Sequence, residues 1–124
     1  MLPSNNTISL GYPYSENTRL TLEIYGTKRN GHIIIKSNKG MLSCFVVCSV
    51  AVRFDDDKNY KFKFESFGNN LNGITLFSSQ NKLFFNKLRS SSKTHIEVLY
   101  DNNGERQFEF DSGNLIWNHY DFSD

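Results

Sequence analysis

The sequence lacks the features that mark several large classes of protein. Lys and Arg number 14 against 13 for Asp and Glu, so the formal net charge is only +1. Such a balance gives no electrostatic attraction toward nucleic acid or anionic lipid. No apolar run approaches the roughly 20 residues that cross a bilayer. We therefore expect neither a nucleic-acid partner nor a membrane span.

Motifs of catalysis and of cofactor binding are also missing. There is no G-x-S-x-G nucleophile turn, no phosphate-binding glycine loop and no pair of histidines at metal-ligand spacing. The three histidines are isolated from one another and from the two cysteines, which argues against a zinc site. Carboxylates on solvated strand faces normally ionise without catalysing anything. The sequence therefore predicts a protein that is not an enzyme and that uses no cofactor or metal.

Aromatic residues, in contrast, are abundant at 15% of the chain. Four of them, with Val50 and Val52, occupy alternating positions around a short polar loop, over the ranges 50–54 and 60–64. Alternation places successive side chains on opposite faces of a strand, so this stretch predicts a hairpin with one apolar face.

The rest of the chain follows the same pattern, with one exception. Further alternating or short apolar runs cover 20–25, 32–37, 74–77, 96–100 and 108–110. The exception is residues 79–91, where Phe84 and Leu88 share one helical face. We predict a mainly β protein (a β-rich α+β fold) with about seven antiparallel strands and one helix, forming a sandwich or an open barrel.

The length of 124 residues fits one domain. Residues 1–17 are polar and contain both prolines, Pro3 and Pro13, which predicts a loosely held arm. The β-rich domain then covers residues 18–117, and residues 118–124 form a polar tail.

The only cysteines, Cys44 and Cys48, are separated by three apolar residues. On one continuous strand their Cα atoms would stand about 13 Å apart, whereas a disulfide needs at most ~7 Å. A bridge therefore requires the chain to turn within residues 45–47. From the residues alone, a disulfide and two buried thiols both stay open.

The residues between the cysteines, Phe45, Val46 and Val47, would make an unusually apolar turn. The favoured interpretation is a loop folded into the core, and the alternative is a rigid tip presented to a partner. Lys82 and Arg89 belong to a basic side of the predicted helix. A solvated face explains them most simply, and an acidic partner surface is the alternative.

Several short motifs occur together in the second half of the chain. They are Val52-Arg53-Phe54-Asp55-Asp56, Thr75-Leu76-Phe77, Phe84 to Arg89, Ile96-Glu97, Phe108-Glu109-Phe110-Asp111 and Leu115-Ile116-Trp117. In their order and spacing they resemble a family of small, mostly uncharacterised envelope proteins of Gram-negative bacteria. The likeness extends from about Tyr14 to Trp117.

This resemblance implies an extracytoplasmic setting, in the periplasm or the cell envelope. In that setting the bridged form of Cys44 and Cys48 is favoured. The N-terminus has neither the basic nor the apolar region of a signal peptide, so a cytoplasmic location stays an alternative. The resemblance brings no catalytic residues with it.

Taken together, these patterns predict a non-catalytic binding module that contacts another protein. An alternative from a different class is an inhibitor or immunity protein that neutralises a toxin or an enzyme. Neither the partner nor the oligomeric state is indicated by any residue pattern.

Overall fold

The computed structural model describes residues 2–9, 17–25, 31–55, 57–66, 72–101 and 104–114. Within these ranges the chain forms eight strands, one α-helix and two short 3-10 helices. The strands are β1 (Leu2–Pro3), β2 (Leu20–Tyr25), β3 (His32–Ser37), β4 (Val47–Phe54), β5 (Asn59–Glu65), β6 (Gly73–Leu76), β7 (Thr94–Tyr100) and β8 (Gly104–Phe110). The helix α1 covers Asn81–Arg89, and 3-10 turns cover Ser78–Gln80 and Ser112–Asn114.

All strands belong to one antiparallel sheet with the order β1-β2-β3-β6-β5-β4-β7-β8. The sheet curls into a nearly closed barrel, because the segment that follows β1 lies against β8 at the other edge. There the Asn5 N–H donates to the Glu109 carbonyl oxygen at 2.6 Å, and the Asn6 amide donates to the Gln107 carbonyl oxygen at 3.0 Å.

The predicted fold class is confirmed. The alternating runs form strands, and the one predicted helix is present as α1 with the preceding 3-10 turn. The strand number is eight rather than about seven because residues 2–3 pair with β2. Two residues are too few to show any alternation, so the pattern could not reveal them.

The N-terminal residues 2–9 are not the loosely held arm that the sequence predicts. Leu2 is buried, Ser4 is only 1% exposed, and Ile8 bridges to Thr18. The Ser4 hydroxyl accepts the Leu20 N–H at 3.2 Å, which ties the segment to β2. The rest of the predicted arm, residues 10–16, the predicted Leu115–Trp117 segment and the tail 118–124 lie outside the described residues.

The core sits between the curled sheet and α1. Phe84 points from the helix into the sheet, with its ring centroid 5.0 Å from that of Phe62 and 5.9 Å from that of Phe54, edge to face in both cases. Edge-to-face contacts of this kind add to the stabilisation from burial alone. The apolar face of α1 therefore packs against β4 and β5.

The C-terminal end of α1 is fastened to the end of β4. The Asp55 carboxylate accepts the backbone N–H groups of Ser92 and Lys93 at 2.9 and 3.0 Å. The helix therefore ends beside the last residues of β4, and the first residues of β4 lie at the opposite end of the barrel. That opposite end carries the candidate site.

Candidate functional site

Residues 41–43, which come shortly before β4, form backbone hydrogen bonds with the end of β7. The Ser43 N–H donates to the Leu99 carbonyl oxygen at 2.7 Å, and the Asp101 N–H donates to the Met41 carbonyl oxygen at 2.9 Å. The chain must then turn sharply to enter β4. It makes this turn within residues 44–48, here called the clasped loop.

A disulfide closes the clasped loop. Cys44 and Cys48 are bonded, with their Cα atoms 5.2 Å apart rather than the ~13 Å of a continuous strand. Cys44 is 4% exposed and belongs to the hydrophobic core, while Cys48 is partly buried against it. The disulfide therefore fastens both ends of the loop to the interior.

The turn itself is centred on Val46. The Val47 N–H donates to the Phe45 carbonyl oxygen at 2.7 Å, and Val46 has a φ of +63°. A bond between residues i and i+2 with positive φ in the middle is the rarer and more strained form of γ-turn. For a β-branched residue this conformation is a genuine outlier, and such strain costs about 1–3 kcal/mol.

Ser66, just after β5, holds the loop in this conformation. Its N–H donates to the Val46 carbonyl oxygen at 3.0 Å, and its hydroxyl donates to the Cys44 carbonyl oxygen at 2.7 Å. Together with the disulfide, these bonds over-determine the turn. A strained backbone persists only under such constraint, and strained positions are concentrated at functional sites.

The three residues of the turn face solvent. Phe45 is 93% exposed, Val46 60% and Val47 47%. The prediction that this loop folds into the core is therefore wrong. The physical reason is that the cysteine side chains occupy the inward positions, so the short ring between them can only project outward.

Other apolar side chains border the loop. Met41 is 42% exposed and lies on the segment that leads into the turn, and Leu99 is 46% exposed on β7, with which this segment pairs. A shallow cavity of about 140 Å³ is lined by Leu42, Ser43, Cys44, Phe45 and Asp101. The clasped loop thus stands on an apolar end of the barrel rather than as a single exposed residue.

Acidic residues occupy the positions beside these apolar ones. Glu65 is the direct cross-strand partner of Val47, and Glu105 is that of Leu99. Directly opposed residues in antiparallel strands have Cβ atoms about 5 Å apart. Lys63 lies two residues before Glu65, on the same face of β5. The immediate border of the apolar end is therefore acidic.

Of the two helix residues predicted as partner contacts, Arg89 does not join this surface. Lys82 and Arg89 are exposed on α1, and the Arg89 guanidinium lies 5.8 Å from the centroid of the Phe85 ring. Arg89 is at the helix end that adjoins Asp55, and the clasped loop lies at the other end of β4. Eight strand residues span about 23 Å. The structure thus brings the three residues of the turn together and leaves Arg89 apart from them.

A second, polar groove crosses the outer face of β4, β7 and β8. Two adjoining hollows of about 350 and 300 Å³ share His95 and Gln107 in their linings. The His95 Nε2 lies 3.3 Å from a Glu109 carboxylate oxygen. These residues are 14 apart in sequence and meet only through the β7–β8 register, so no local motif could have predicted the groove.

Two carboxyl groups near the groove have shifted pKa values, in opposite directions. The pKa of Glu109 is lowered, first by the hydrogen bond from the Asn5 amide and then by Lys93 and His95. The pKa of Glu97 is raised, first by its hydrogen bond with Glu105 and then by partial burial.

This groove is lined by acid–base and amide side chains. The residues described in its lining are Asn5, Asn6, Ala51, Arg53, Asn59, Lys61, His95, Glu97, Gln107 and Glu109. None of these described residues is a serine, threonine or cysteine, the side chains that most often form covalent intermediates. Its groups are arranged for hydrogen bonding and ion pairing.

Within the described ranges, neither a metal centre nor a membrane-crossing helix is found. No group of three or more His, Cys, Asp or Glu side chains in these ranges is placed to hold a metal ion. No helix within the same ranges combines the length and the hydropathy that a membrane crossing needs.

Comparisons of the chain with protein-family models, with curated proteins and with solved structures find no match. The resemblance to bacterial envelope proteins therefore stays a prediction from short motifs.

Proposed function

We propose that this protein is a non-catalytic, extracytoplasmic binding module that inserts Phe45 into an apolar pocket of a partner protein. The observation that carries the proposal is the 93% exposure of Phe45 in a loop closed by a disulfide. An aromatic side chain exposed on a rigid support contributes much of the energy at protein interfaces when a pocket on the partner desolvates it.

Rigidity is the second support for this proposal. Ordering a flexible loop on binding costs about 0.5–1.5 kcal/mol for each immobilised side chain, in addition to backbone entropy. The disulfide and the two Ser66 hydrogen bonds impose that order before any partner arrives. The same proposal explains the strained backbone at Val46, because this turn orients Phe45 and Val47 outward.

The charges beside the loop define the partner further. Glu65 and Glu105 flank Val47 and Leu99, so a pocket bordered by Lys or Arg side chains would complement them. The same acids oppose binding to an anionic membrane. The disulfide supports an extracytoplasmic location, because disulfides form and persist mainly in oxidising compartments.

The experiment that tests this function combines photo-crosslinking with a matched pair of variants. A photoreactive amino acid replaces Phe45 in one protein and Lys58, exposed near the other end of β4, in a second. Native extract is irradiated with each, and crosslinked proteins are identified by mass spectrometry. We expect a partner crosslinked from position 45 only.

Binding of the identified partner is then measured for Phe45→Ser and for Leu83→Ser. Leu83 is 48% exposed on α1 and controls for the loss of any exposed apolar side chain. Phe45→Ser is expected to weaken binding about 30-fold or more, as for an interface residue worth about 2 kcal/mol. Equal binding by the two variants would show that Phe45 is not the anchor.

A second candidate function is an inhibitor or immunity protein, and the convex shape of the clasped loop favours it. Enzyme active sites are concave and largely apolar, and Phe45 projects far enough to enter one. If the crosslinked partner is an enzyme or a toxin, addition of this protein should abolish its activity, and Phe45→Ser should restore it.

A further inference from the structure

We propose that the Cys44–Cys48 disulfide is a redox modification site, reduced by a dithiol, and that its reduction dismantles the loop presenting Phe45. The effect of this reduction on partner binding rests on the proposed function, since the reduced loop is the surface that presents Phe45. Its chemistry concerns the loop alone and can be tested without a partner.

The two cysteine residues differ in exposure. Cys44 is 4% exposed and packs within the core, whereas Cys48 is only partly buried at the start of β4. An incoming thiolate therefore reaches the Sγ of Cys48 first. Thiol–disulfide exchange depends on which sulfur is attacked and on its accessibility, so this difference fixes the direction of the reaction.

Reduction proceeds through a mixed disulfide at Cys48. A thiolate of the dithiol bonds to the Cys48 Sγ, the Cys44–Cys48 bond breaks, and Cys44 leaves as a thiolate that takes up a proton. The second thiol of the reductant then loses its proton and attacks the mixed disulfide, so that Cys48 leaves as a thiolate and is protonated. Two electrons have moved: the protein disulfide becomes two thiols, and the dithiol becomes a disulfide.

The backbone at Val46 favours this reduction. Its φ of +63° is unfavourable for a β-branched residue and is retained because the ring is closed. When the disulfide opens, Val46 is free to return to negative φ. That rotation breaks the γ-turn bond from the Val47 N–H to the Phe45 oxygen and moves the Val46 carbonyl away from Ser66.

The first test compares Val46→Asn with Val47→Asn. Asparagine tolerates positive φ, so Val46→Asn removes strain from the oxidised form, while Val47→Asn makes the same polar change outside the strained position. Each folded protein is equilibrated with mixtures of reduced and oxidised dithiothreitol, and free thiols are counted by alkylation and mass spectrometry.

We expect Val46→Asn to need an about tenfold higher ratio of dithiol to disulfide than the wild type, equivalent to a potential about 30 mV lower. Val47→Asn should stay within about twofold of the wild type, because position 47 carries no such strain. Identical midpoints for the two variants would overturn the proposal. So would a disulfide that becomes reducible only when the whole protein unfolds.

The second test follows the loop itself by hydrogen exchange. On reduction, the amides of Val47 and Ser66 should lose protection, because both donate to carbonyl groups of the loop. The central amides of the β4–β5 ladder should keep theirs. Unchanged protection at Val47 and Ser66 would show that the reduced loop keeps its shape, and the redox proposal would fail while the binding function stood. If the loop opens but Phe45→Ser still binds the partner fully, the binding function fails and the redox proposal stands.

Discussion

The two ends of β4 differ in the exposure of the apolar side chains beside them. Near its C-terminal end, Phe54 packs under α1 against Phe84 and is 3% exposed, in ordinary strand geometry. Before its N-terminal end, Phe45 is 93% exposed and is followed by a valine with positive φ. Folding alone explains the first end. The second opposes both the hydrophobic effect and the backbone preference, and this double opposition is why we propose a function for it.

The contrast also separates two sources of order. Around Phe84, order comes from burial, since four aromatic rings from the helix and two strands interlock. Around Phe45, order comes from covalent and hydrogen bonds, since little surface is buried. Substitutions at the two ends should therefore differ sharply in what they cost.

The largest expected difference is between Phe84→Ala and Phe45→Ala. Phe84 is fully buried, so its truncation leaves a cavity and should lower the free energy of unfolding by about 3–5 kcal/mol. Phe45→Ala should change it by no more than about 0.5 kcal/mol, because an exposed ring loses almost no contact. Urea unfolding of both variants measures the two values. Similar losses would mean that the loop is part of the cooperative core.

A smaller effect is expected from reducing the disulfide in the wild-type protein. Closing a ring this short stabilises the fold by about 2 kcal/mol, and release of strain at Val46 offsets at least about 1 kcal/mol of that. Urea unfolding with and without reductant should therefore differ by about 1 kcal/mol. In Val46→Asn the offset is absent, and the difference should approach about 2 kcal/mol. A smaller difference in the variant than in the wild type would contradict the strain at Val46.

The smallest expected effect lies in the polar groove. Because the Asn5 amide is the main cause of the low Glu109 pKa, Asn5→Ala should raise that pKa toward its ordinary value of about 4.3. Carbon-13 NMR titration of the carboxyl group measures it, and Asn59→Ala, on the other wall of the groove, is the control. If the Glu109 pKa does not rise in Asn5→Ala, or rises equally in both variants, the Asn5 amide is not the main cause of the low pKa.

The sign of the linked stability follows from the direction of that shift. A carboxyl group whose pKa is lower in the folded than in the unfolded state stabilises the fold above the unfolded pKa. This contribution is lost as the pH falls through the folded value. Acid unfolding of the wild type should therefore be more sensitive to pH below about 4 than that of Asn5→Ala.

Much of the fold could be predicted from alternation, because a half-buried strand imposes a period of two on its residues. The ranges of β2, β5 and β7 follow from it, the three consecutive isoleucines indicate β3, and Phe84 and Leu88 indicate α1 by their spacing. The pattern carries no information about which strands become neighbours. The crossover that places β6 between β3 and β5 depends on long-range packing.

The candidate site could be located from the sequence but not oriented. Two cysteines around three apolar residues indicate a special segment, and the need for a turn follows from strand geometry. Phe45 faces the solvent because the bridged cysteine side chains point inward, and the turn between them has positive φ at Val46. Local preference would assign a valine negative φ, so the preference of the residue does not indicate this turn.

The pairing of Asn5 and Asn6 with β8 has a consequence for how the protein folds. The Asn6 amide finds its partner, the Gln107 carbonyl oxygen, 101 positions further along the chain. Until this contact forms, both margins of the sheet stay open to other chains, and β-rich proteins aggregate through such open edges. Contacts so distant along the chain predict slow folding, with closure of the barrel as a late step.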